Sequence, residues 1–503
     1  MLKPAQPSLH LRGGAAGSVV APGLAKPAGA GLAVLAVVAG LLLAAIFGLA
    51  AAALPWIWML GLVIVPVVLV LSIVYPVAGV VFALLFVFQV IPEQFHPRLP
   101  FGGGSLRVHD LMVVYLSAVV MIRTLATRAP LISPLQQFLW PLLYLFACIA
   151  ISVVHVQVWA PNDRLLSEGR NLVAWMLLPL LVLGIRNQRA LDWLWRSVFA
   201  IALVISVYVC LQTYADLQIL GNVRDLAGST TSANDAQGVQ RSTAGGATYL
   251  IVLLLLLGIN RAIEGRWPVW LATALGLLLV AALGASFGRG VWVATLFGVF
   301  VSAFVFRGLK AASLTVLMLA LLVSCLLGLT AVVKPQVGEA LVDRVTRFGD
   351  EVDRGGSFAW RVQENQDALR SIGRHSLLGV GIGGDYKQTT RAGASFQLET
   401  GYIHNAYLYF PVKLGLIGAF VPFAFIAAMG LAVRHALRLR PPRDRARVAA
   451  LAGAFSTAAL ASVSQPEWTS LAGAAAFCTI MSLLLLESRY GDARSRDGSA
   501  ENP

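Results

Sequence analysis

The sequence predicts an all-α membrane protein that crosses the bilayer many times. Hydrophobic residues make up 58% of the 503 residues, charged residues only 12%, and mean hydropathy is +0.77. Soluble proteins average roughly 45–50% apolar and about 25% charged residues. This composition excludes a soluble enzyme, a disordered chain and a disulfide-framed secreted module. Despite a net charge of +14, nucleic acid is not an expected partner, because too little polar surface remains to dissolve the chain.

Long apolar runs predict the individual helices. A spanning helix needs about 20 mostly apolar residues, and these runs lack the period-2 alternation of barrel strands. Tight breaks at Pro55 and Pro76 allow the count to be twelve, thirteen or fourteen. The fourteen candidates are 29–51, 55–75, 76–92, 108–124, 137–157, 170–185, 191–212, 246–260, 267–285, 290–306, 311–333, 406–432, 448–466 and 468–486.

Basic residues predict the orientation of the helices. Twenty of the 38 Lys and Arg fall in the tails and in every second connection, and such segments face the cytoplasm. Both termini are therefore expected inside, with a disordered tail over 1–28 and a second tail over 487–503. Three longer segments are then expected outside: 93–107, 213–245 and 334–405.

The segment 334–405 differs from the rest of the chain in composition. It carries nine basic and nine acidic residues. Helical spacing of apolar residues over 338–349 and 358–374 predicts two amphipathic helices, and the glycine-rich stretch 377–384 predicts a turn after the second. A structureless loop of this length is uncommon, so a folded extracytoplasmic cap is expected.

Three residues are the main candidates for chemistry. Arg289 lies between two spans at the outer boundary, where a guanidinium suits a phosphate or simply reaches the interface. Arg361 heads the second loop helix, but the acids interleaved around it are also typical of a surface charge lattice. His404 lies where the loop re-enters the membrane, and it can act as a general base or as an interfacial residue at the next helix.

No metal or cofactor is expected from the sequence. The four cysteines lie within apolar runs without metal-ligand spacing, and neither a His pair nor an Asp-x-Asp pattern occurs. The sequence GVGIGG is not a dinucleotide fingerprint, because no strand precedes it.

The order of these motifs resembles the O-antigen ligase/O-antigen polymerase superfamily of bacterial envelope glycosyltransferases. The resemblance covers about 240–425. It rests on Ser286-Phe287-Gly288-Arg289-Gly290 at a span start, on Arg361, Ala368-Leu369 and Leu378-Gly379-Val380-Gly381 in the large loop, and on His404-Asn405-Ala406-Tyr407 entering a span. The stretch 240–250 is similar to an arginine-bearing span entry.

The resemblance implies a GT-C-like bundle of about 12–14 spans in the bacterial inner membrane, with its active site facing the periplasm. Spans 1–11 would occupy 29–333, the catalytic loop 334–405, and spans 12–14 406–486. The implied reaction is an inverting, metal-independent glycosyl transfer from undecaprenyl pyrophosphate. Arg289 and Arg361 would then face the pyrophosphate, and His404 would deprotonate the acceptor. Substrate contacts are implied for Arg170, Arg241, Arg370, Asn405 and Tyr407.

The sequence leaves the particular reaction open. A ligase moves a finished glycan to lipid A-core, and the single dominant loop favours it. A polymerase joins repeat units of O-antigen, capsule or exopolysaccharide, and the segment 213–245 with Arg224 and Arg241 keeps that reading open. A related branch glycosylates pilin-like proteins. A lipid-linked glycan flippase is the most distant alternative. Transporters carry charged residues inside their spans, and such residues are nearly absent from the predicted spans of this chain.

Overall fold

The computed structural model describes residues 66–92, 96, 98–101, 104–159, 161–162, 164–217, 223–225, 240–242, 244–346, 357–387, 401–439 and 445–497. The chain divides into a unit of residues 1–67, of which only 66 and 67 are described, and a unit of residues 68–503. The expected span 29–51 and most of the span 55–75 therefore lie outside the described residues.

Within the described residues the second unit is overwhelmingly helical, which confirms the predicted class of an all-α polytopic membrane protein. In this described part of the chain, eight helical segments are long and apolar enough to cross a membrane, and five shorter apolar helices accompany them. The helices are α1 Pro76–Val87, α2 Val108–Ala126, α3 Gln136–Trp159, α4 Leu165–Leu172, α5 Leu177–Gly184, α6 Gln188–Tyr214, α7 Ala247–Ile263, α8 Val269–Ala285, α9 Arg289–Arg307, α10 Leu309–Val333, α11 Pro335–Thr346, α12 Ser357–Arg374, α13 Ala406–Ala419, α14 Val421–Leu439, α15 Ala446–Ala461 and α16 Leu471–Asp497.

Two short antiparallel ribbons lie in two of the segments that were expected outside. Strands β1 (Arg98–Phe101) and β2 (Gly104–Arg107) pair with Arg98 opposite Arg107. Strands β3 (Val223–Asp225) and β4 (Gln240–Ser242) pair with Arg224 opposite Arg241. The sequence analysis did not predict either ribbon.

Small residues allow a close crossing between helices α9 and α15. Helix α15 packs along α9 and α7, and a Cβ placed on Gly453 would lie 2.5 Å from the carbonyl oxygen of Gly298. Because apolar burial does not favour one helix pair over another within lipid, such close backbone contact supplies much of the packing energy. An aromatic cluster extends this core where α16 begins, with the rings of Trp468 and Phe477 stacked 4.0 Å apart.

The loop helices lie where the hydrophobic spacing placed them. Helix α11 covers 335–346 and α12 covers 357–374, against the predicted 338–349 and 358–374. The expected span 406–432 differs, because it consists of α13 and the longer α14. The backbone leaves helical geometry at Gly415 (φ +70°), where any Cβ would collide with the carbonyl group of Leu377. The bend thus makes room for the turn of the large loop.

The crossing of α9 and α15 yields a first prediction. Gly453→Leu should lower the free energy of unfolding by at least about 1–3 kcal/mol, because the new side chain meets backbone that cannot move aside. Thermal unfolding in detergent, followed by tryptophan fluorescence, measures the effect. Gly328→Leu on α10 is the matched control, because no atom lies within 4 Å of its Cβ position. Equal melting temperatures for the two variants would contradict the assigned crossing.

Candidate functional site

The Arg289 motif forms a tight turn between α8 and α9. Phe287 adopts a left-handed conformation (φ +46°), and its ring is buried against Val337 and Leu341 of α11. The side chain of Arg289 donates from Nε to the carbonyl oxygen of Arg344. The Nε of Arg344 in turn lies 3.4 Å from the carbonyl oxygen of Phe287. The first loop helix is thereby held over the start of α9, next to Arg289.

The connection between α15 and α16 links this turn to the His404 motif. A Cβ on Gly290 would lie 2.5 Å from Oγ of Ser464, so the start of α9 closely approaches this connection. Two residues earlier, the carbonyl oxygen of Ser462 accepts a hydrogen bond from the amide of Ala406 at 2.9 Å. The two motifs, 115 positions apart in the sequence, therefore border one short connection.

Asn405 starts the helix that follows His404. Its Oδ1 accepts from the amides of Tyr407 (3.0 Å) and Leu408 (3.4 Å), which makes it the N-cap of α13. The hydroxyl of Tyr407 donates to the carbonyl oxygen of Ala459 at 2.9 Å. In this structure both residues thus hold the helix that positions His404.

A buried carboxylate binds His404 at two atoms. Oε2 of Glu364 lies 2.9 Å from Nδ1 of His404 and accepts from the backbone amide of the same residue at 3.0 Å. Oε1 of Glu364 accepts from Nζ of Lys387 at 3.2 Å. The side chains of Glu364 and Lys387 are each 1% exposed, whereas that of His404 is 16% exposed. The imidazole is therefore oriented from its buried side and reachable from the other.

The charges around Glu364 keep it ionised. Burial by itself raises the pKa of this carboxyl, but the interactions with His404 and Lys387 outweigh burial and hold the pKa below its ordinary value. At neutral pH the group is thus a carboxylate. A carboxylate at Nδ1 favours the imidazole tautomer that carries its proton on Nδ1, so that the lone pair of the ring lies on Nε2.

Arg361 lies one helical turn before Glu364 on α12. Residues three apart share a helix face, and this face packs on α13 through Ala368, which is buried with Ile403 and Val412. Arg361 is half-buried. The loop helix therefore places Arg361 on the same face as Glu364, the residue that contacts His404.

The three arginines for which the resemblance implies substrate contacts lie in different surroundings. Arg370 pairs with Asp367 at 2.8 Å and is 62% exposed, so it faces away from the Glu364 face. Arg170, on α4, contributes positive charge near buried His109 and Asp110. Arg241 belongs to β4, and its side chain lies outside the described residues.

The glycine-rich turn after α12 is anchored to the bundle. Its three glycines Gly379, Gly381 and Gly383 have positive φ, which side chains rarely adopt. The amide of Gly383 donates to Oε2 of Glu168 at 2.6 Å. The same oxygen accepts from Nζ of Lys413 at 3.0 Å, and Lys413 also donates to the carbonyl oxygen of Gly384 at 2.7 Å.

Sequence reasoning missed the four charged residues that build these contacts. Glu364 was read as one of the acids of a surface charge lattice, and Lys387, Lys413 and Glu168 were not singled out. One signal was available for Lys413: a lysine within an apolar segment must have a partner, because an isolated charge there is costly. No comparable signal marked Glu364, since its partner lies 40 positions away.

The fold and this site define a multi-pass helical membrane protein whose large loop carries a carboxylate-oriented histidine beside arginines. Residues 274–423 match the family model described as O-antigen ligase. This match supports membership of the O-antigen ligase superfamily and confirms the resemblance found in the motifs. The chain is thus a multi-pass helical membrane protein that contains, over residues 274–423, a region similar to the O-antigen ligase family.

The matched residues include Arg289, Arg361 and His404 but neither Arg170 nor Arg241. Among solved structures, a chain from a work titled "Structural coordination of polymerization and crosslinking by a peptidoglycan synthase complex" is 20% identical, with a TM-score of 0.37. The alignment covers 70% of this chain and 97% of that chain. No curated protein matches.

The anchored turn yields a second prediction. Lys413→Met should lower the free energy of unfolding by up to about 3–5 kcal/mol, because it leaves the partly buried Glu168 carboxylate, whose side chain is 21% exposed, without its cation. Adding Glu168→Gln should restore part of the loss. Denaturant unfolding in mixed micelles measures all three variants.

A surface ion pair supplies the control for the Lys413 and Glu168 variants. Lys334 binds Asp216 at 2.7 Å, but the aspartate is 59% exposed. Lys334→Met should therefore cost no more than about 1 kcal/mol. If Lys413→Met were as mild as Lys334→Met, the anchoring role of Lys413 would be wrong.

Proposed function

We propose that the protein transfers a glycan from undecaprenyl pyrophosphate to an acceptor hydroxyl, as an O-antigen ligase that acts on lipid A-core. The reaction would take place at the periplasmic face of the bacterial inner membrane. It would invert the anomeric centre and use no metal, as the family resemblance implies.

The hydrogen bond between Glu364 and His404 carries this proposal. A general base must accept the hydroxyl proton while the new bond forms, and a fixed imidazole does so near neutral pH. The carboxylate at Nδ1 fixes the ring and stabilises the imidazolium that forms. Nε2 of His404 would then take the proton of the acceptor hydroxyl.

The arginines would stabilise the leaving group. The acceptor oxygen forms a bond to the anomeric carbon as the bond to the pyrophosphate oxygen breaks, and that electron pair leaves with the pyrophosphate. Since the proposed reaction uses no metal, fixed positive charge must neutralise the departing oxygen. Arg361 and Arg289 supply planar, permanently charged donors suited to phosphate oxygens. The proton ends on His404.

One observation favours a polymerase as the second candidate. Polymerases of the superfamily more often use two sizeable loops, and β3 and β4 give the segment 213–245 local structure of its own. A growing polysaccharide would then replace lipid A-core as the acceptor.

Two substitutions test the proposed chemistry. His404→Ala and Arg361→Ala should each abolish transfer, with losses of at least about 100-fold, because the base or the leaving-group charge is removed. Transfer from undecaprenyl-pyrophosphate glycan to the acceptor is measured with purified protein. The amount of protein in the membrane fraction should stay unchanged.

The same loop offers matched controls. Arg374 is the last residue of α12 and His375 follows it, and both are exposed. Arg374→Ala and His375→Ala should therefore keep full activity. Glu364→Gln should lower kcat but leave KM for the donor unchanged, since Glu364 acts through His404. Normal transfer by the His404→Ala protein would refute its role as base.

A gene deletion distinguishes ligase from polymerase. If the protein is a ligase, long glycan chains on undecaprenyl should accumulate, because polymerisation continues without transfer. Accumulation of single repeat units would instead assign the polymerase reaction. Gel analysis of the extracted lipid-linked glycan gives the answer, and complementation with the His404→Ala variant should reproduce the deletion pattern in either case.

A further inference from the structure

A groove lies at the end of the bundle opposite to the His404 site, where α14 ends and α15 begins. Its volume is about 470 Å³. The lining residues are Gly430, Val433, Arg434, Leu437, Arg438 and Arg445. This end carries the run of arginines that predicts a cytoplasmic connection.

Helical spacing places the groove on one face of α14. Residues 430, 433, 434, 437 and 438 follow one another at intervals of three, one, three and one, so they form a single stripe. Gly430 opens the stripe on the membrane side, with no atom within 4 Å of its Cβ position. Arg445 closes the groove from the start of α15.

The arginines of the groove differ from others at the same end of the bundle. Arg447 binds the carboxylate of Glu487 at 2.6 Å, and Arg261 binds that of Glu264 at 3.0 Å. Arg434, Arg438 and Arg445 have neither a carboxylate nor another hydrogen-bond acceptor among the described residues. Nε of Arg445 is also buried without an acceptor. Three positive charges thus converge on an open groove without compensation from the described part of the chain.

We propose that this groove binds the phosphodiester headgroup of an anionic phospholipid from the adjacent leaflet. Guanidinium groups bind phosphate oxygens in pairs, and basic pockets between membrane helices on the cytoplasmic side suit anionic lipid headgroups. Val433 and Leu437 lie directly before Arg434 and Arg438 along the stripe and offer apolar contact to the glycerol region and upper acyl chains. The inference is independent of the glycosyl-transfer proposal.

Lipid retention on the purified protein tests this site. The full-length protein in detergent is mixed with equal amounts of phosphatidylglycerol and phosphatidylcholine, and native mass spectrometry counts the bound lipid. The wild-type protein should prefer phosphatidylglycerol. The triple variant Arg434→Ala/Arg438→Ala/Arg445→Ala should lose this preference by about tenfold or more, because each arginine near an anionic headgroup contributes about fivefold.

Two further variants distinguish a specific lipid-binding groove from a general effect of positive charge on lipid binding. Arg189→Ala/Arg307→Ala/Lys310→Ala removes the same charge from exposed positions at the same predicted side and should keep the preference. Gly430→Leu leaves every charge in place, fits its open surroundings and should reduce phosphatidylglycerol binding by filling the groove.

Several outcomes would overturn the proposal. They are an unchanged preference in the groove triple variant, an equal loss in the control triple variant, or full phosphatidylglycerol binding by Gly430→Leu. Displacement of the retained lipid by inorganic phosphate would assign the groove to a free anion instead of a lipid.

Discussion

The position of the large loop depends on one ion pair, in which the cation is fully buried and the carboxylate partly buried. Lys413 lies in α13 and is 0% exposed, and its ammonium group binds Glu168 of α4 and the carbonyl oxygen of Gly384 at the same time. Because Glu168 also accepts from the amide of Gly383, the turn is fixed to two helices of the bundle. Lys387 follows this turn by three residues. The anchor therefore determines where Lys387 meets Glu364, and α13 carries both the anchor and, at its start, His404.

Charge balance explains how a carboxylate is kept in the buried position beside His404. An isolated buried carboxylate would take up a proton to avoid the cost of desolvation. Lys387 compensates the charge of Glu364 from one oxygen, which leaves the other oxygen to hold the imidazole and the backbone amide of residue 404. The ammonium also lies 5.5 Å from the ring centroids of Trp360 and Tyr386, which line its pocket. This compensation keeps an ionised hydrogen-bond acceptor next to a histidine that remains accessible.

The sequence predicted the helices and named His404 and Arg361 as candidate site residues. It did not predict the hydrogen bonds of Glu364 that connect the loop helix to His404. Apolar runs and 3.6-residue spacing are local properties, so the helical class and the loop helices 335–346 and 357–374 were predictable. His404 and Arg361 were recognised by their place in the order of motifs. Glu364 was not, because an acid among arginines on an amphipathic helix has the same local pattern whether it faces water or a partner 40 residues away. The bend at Gly415 was missed for a related reason. A glycine in an apolar segment requires a break only if something packs against it, and here the carbonyl group of Leu377 does so.

Lys413 also bears on the reading of the protein as a transporter. A charge within a membrane span is the usual sign of an ion or substrate pathway, and the sequence contains one in the segment that was expected to be a single span. Coupling charges in transporters must exchange partners between two states, at helices broken in corresponding positions of two repeats. Lys413 instead binds the carboxylate of Glu168 on α4 and the carbonyl oxygen of Gly384, which follows a turn with three glycines at positive φ. Moving Lys413 would break the link that it makes between α4 and this turn. The charge in the broken segment holds the large loop to the bundle, which is a structural role and not the role of a coupling charge in a transporter.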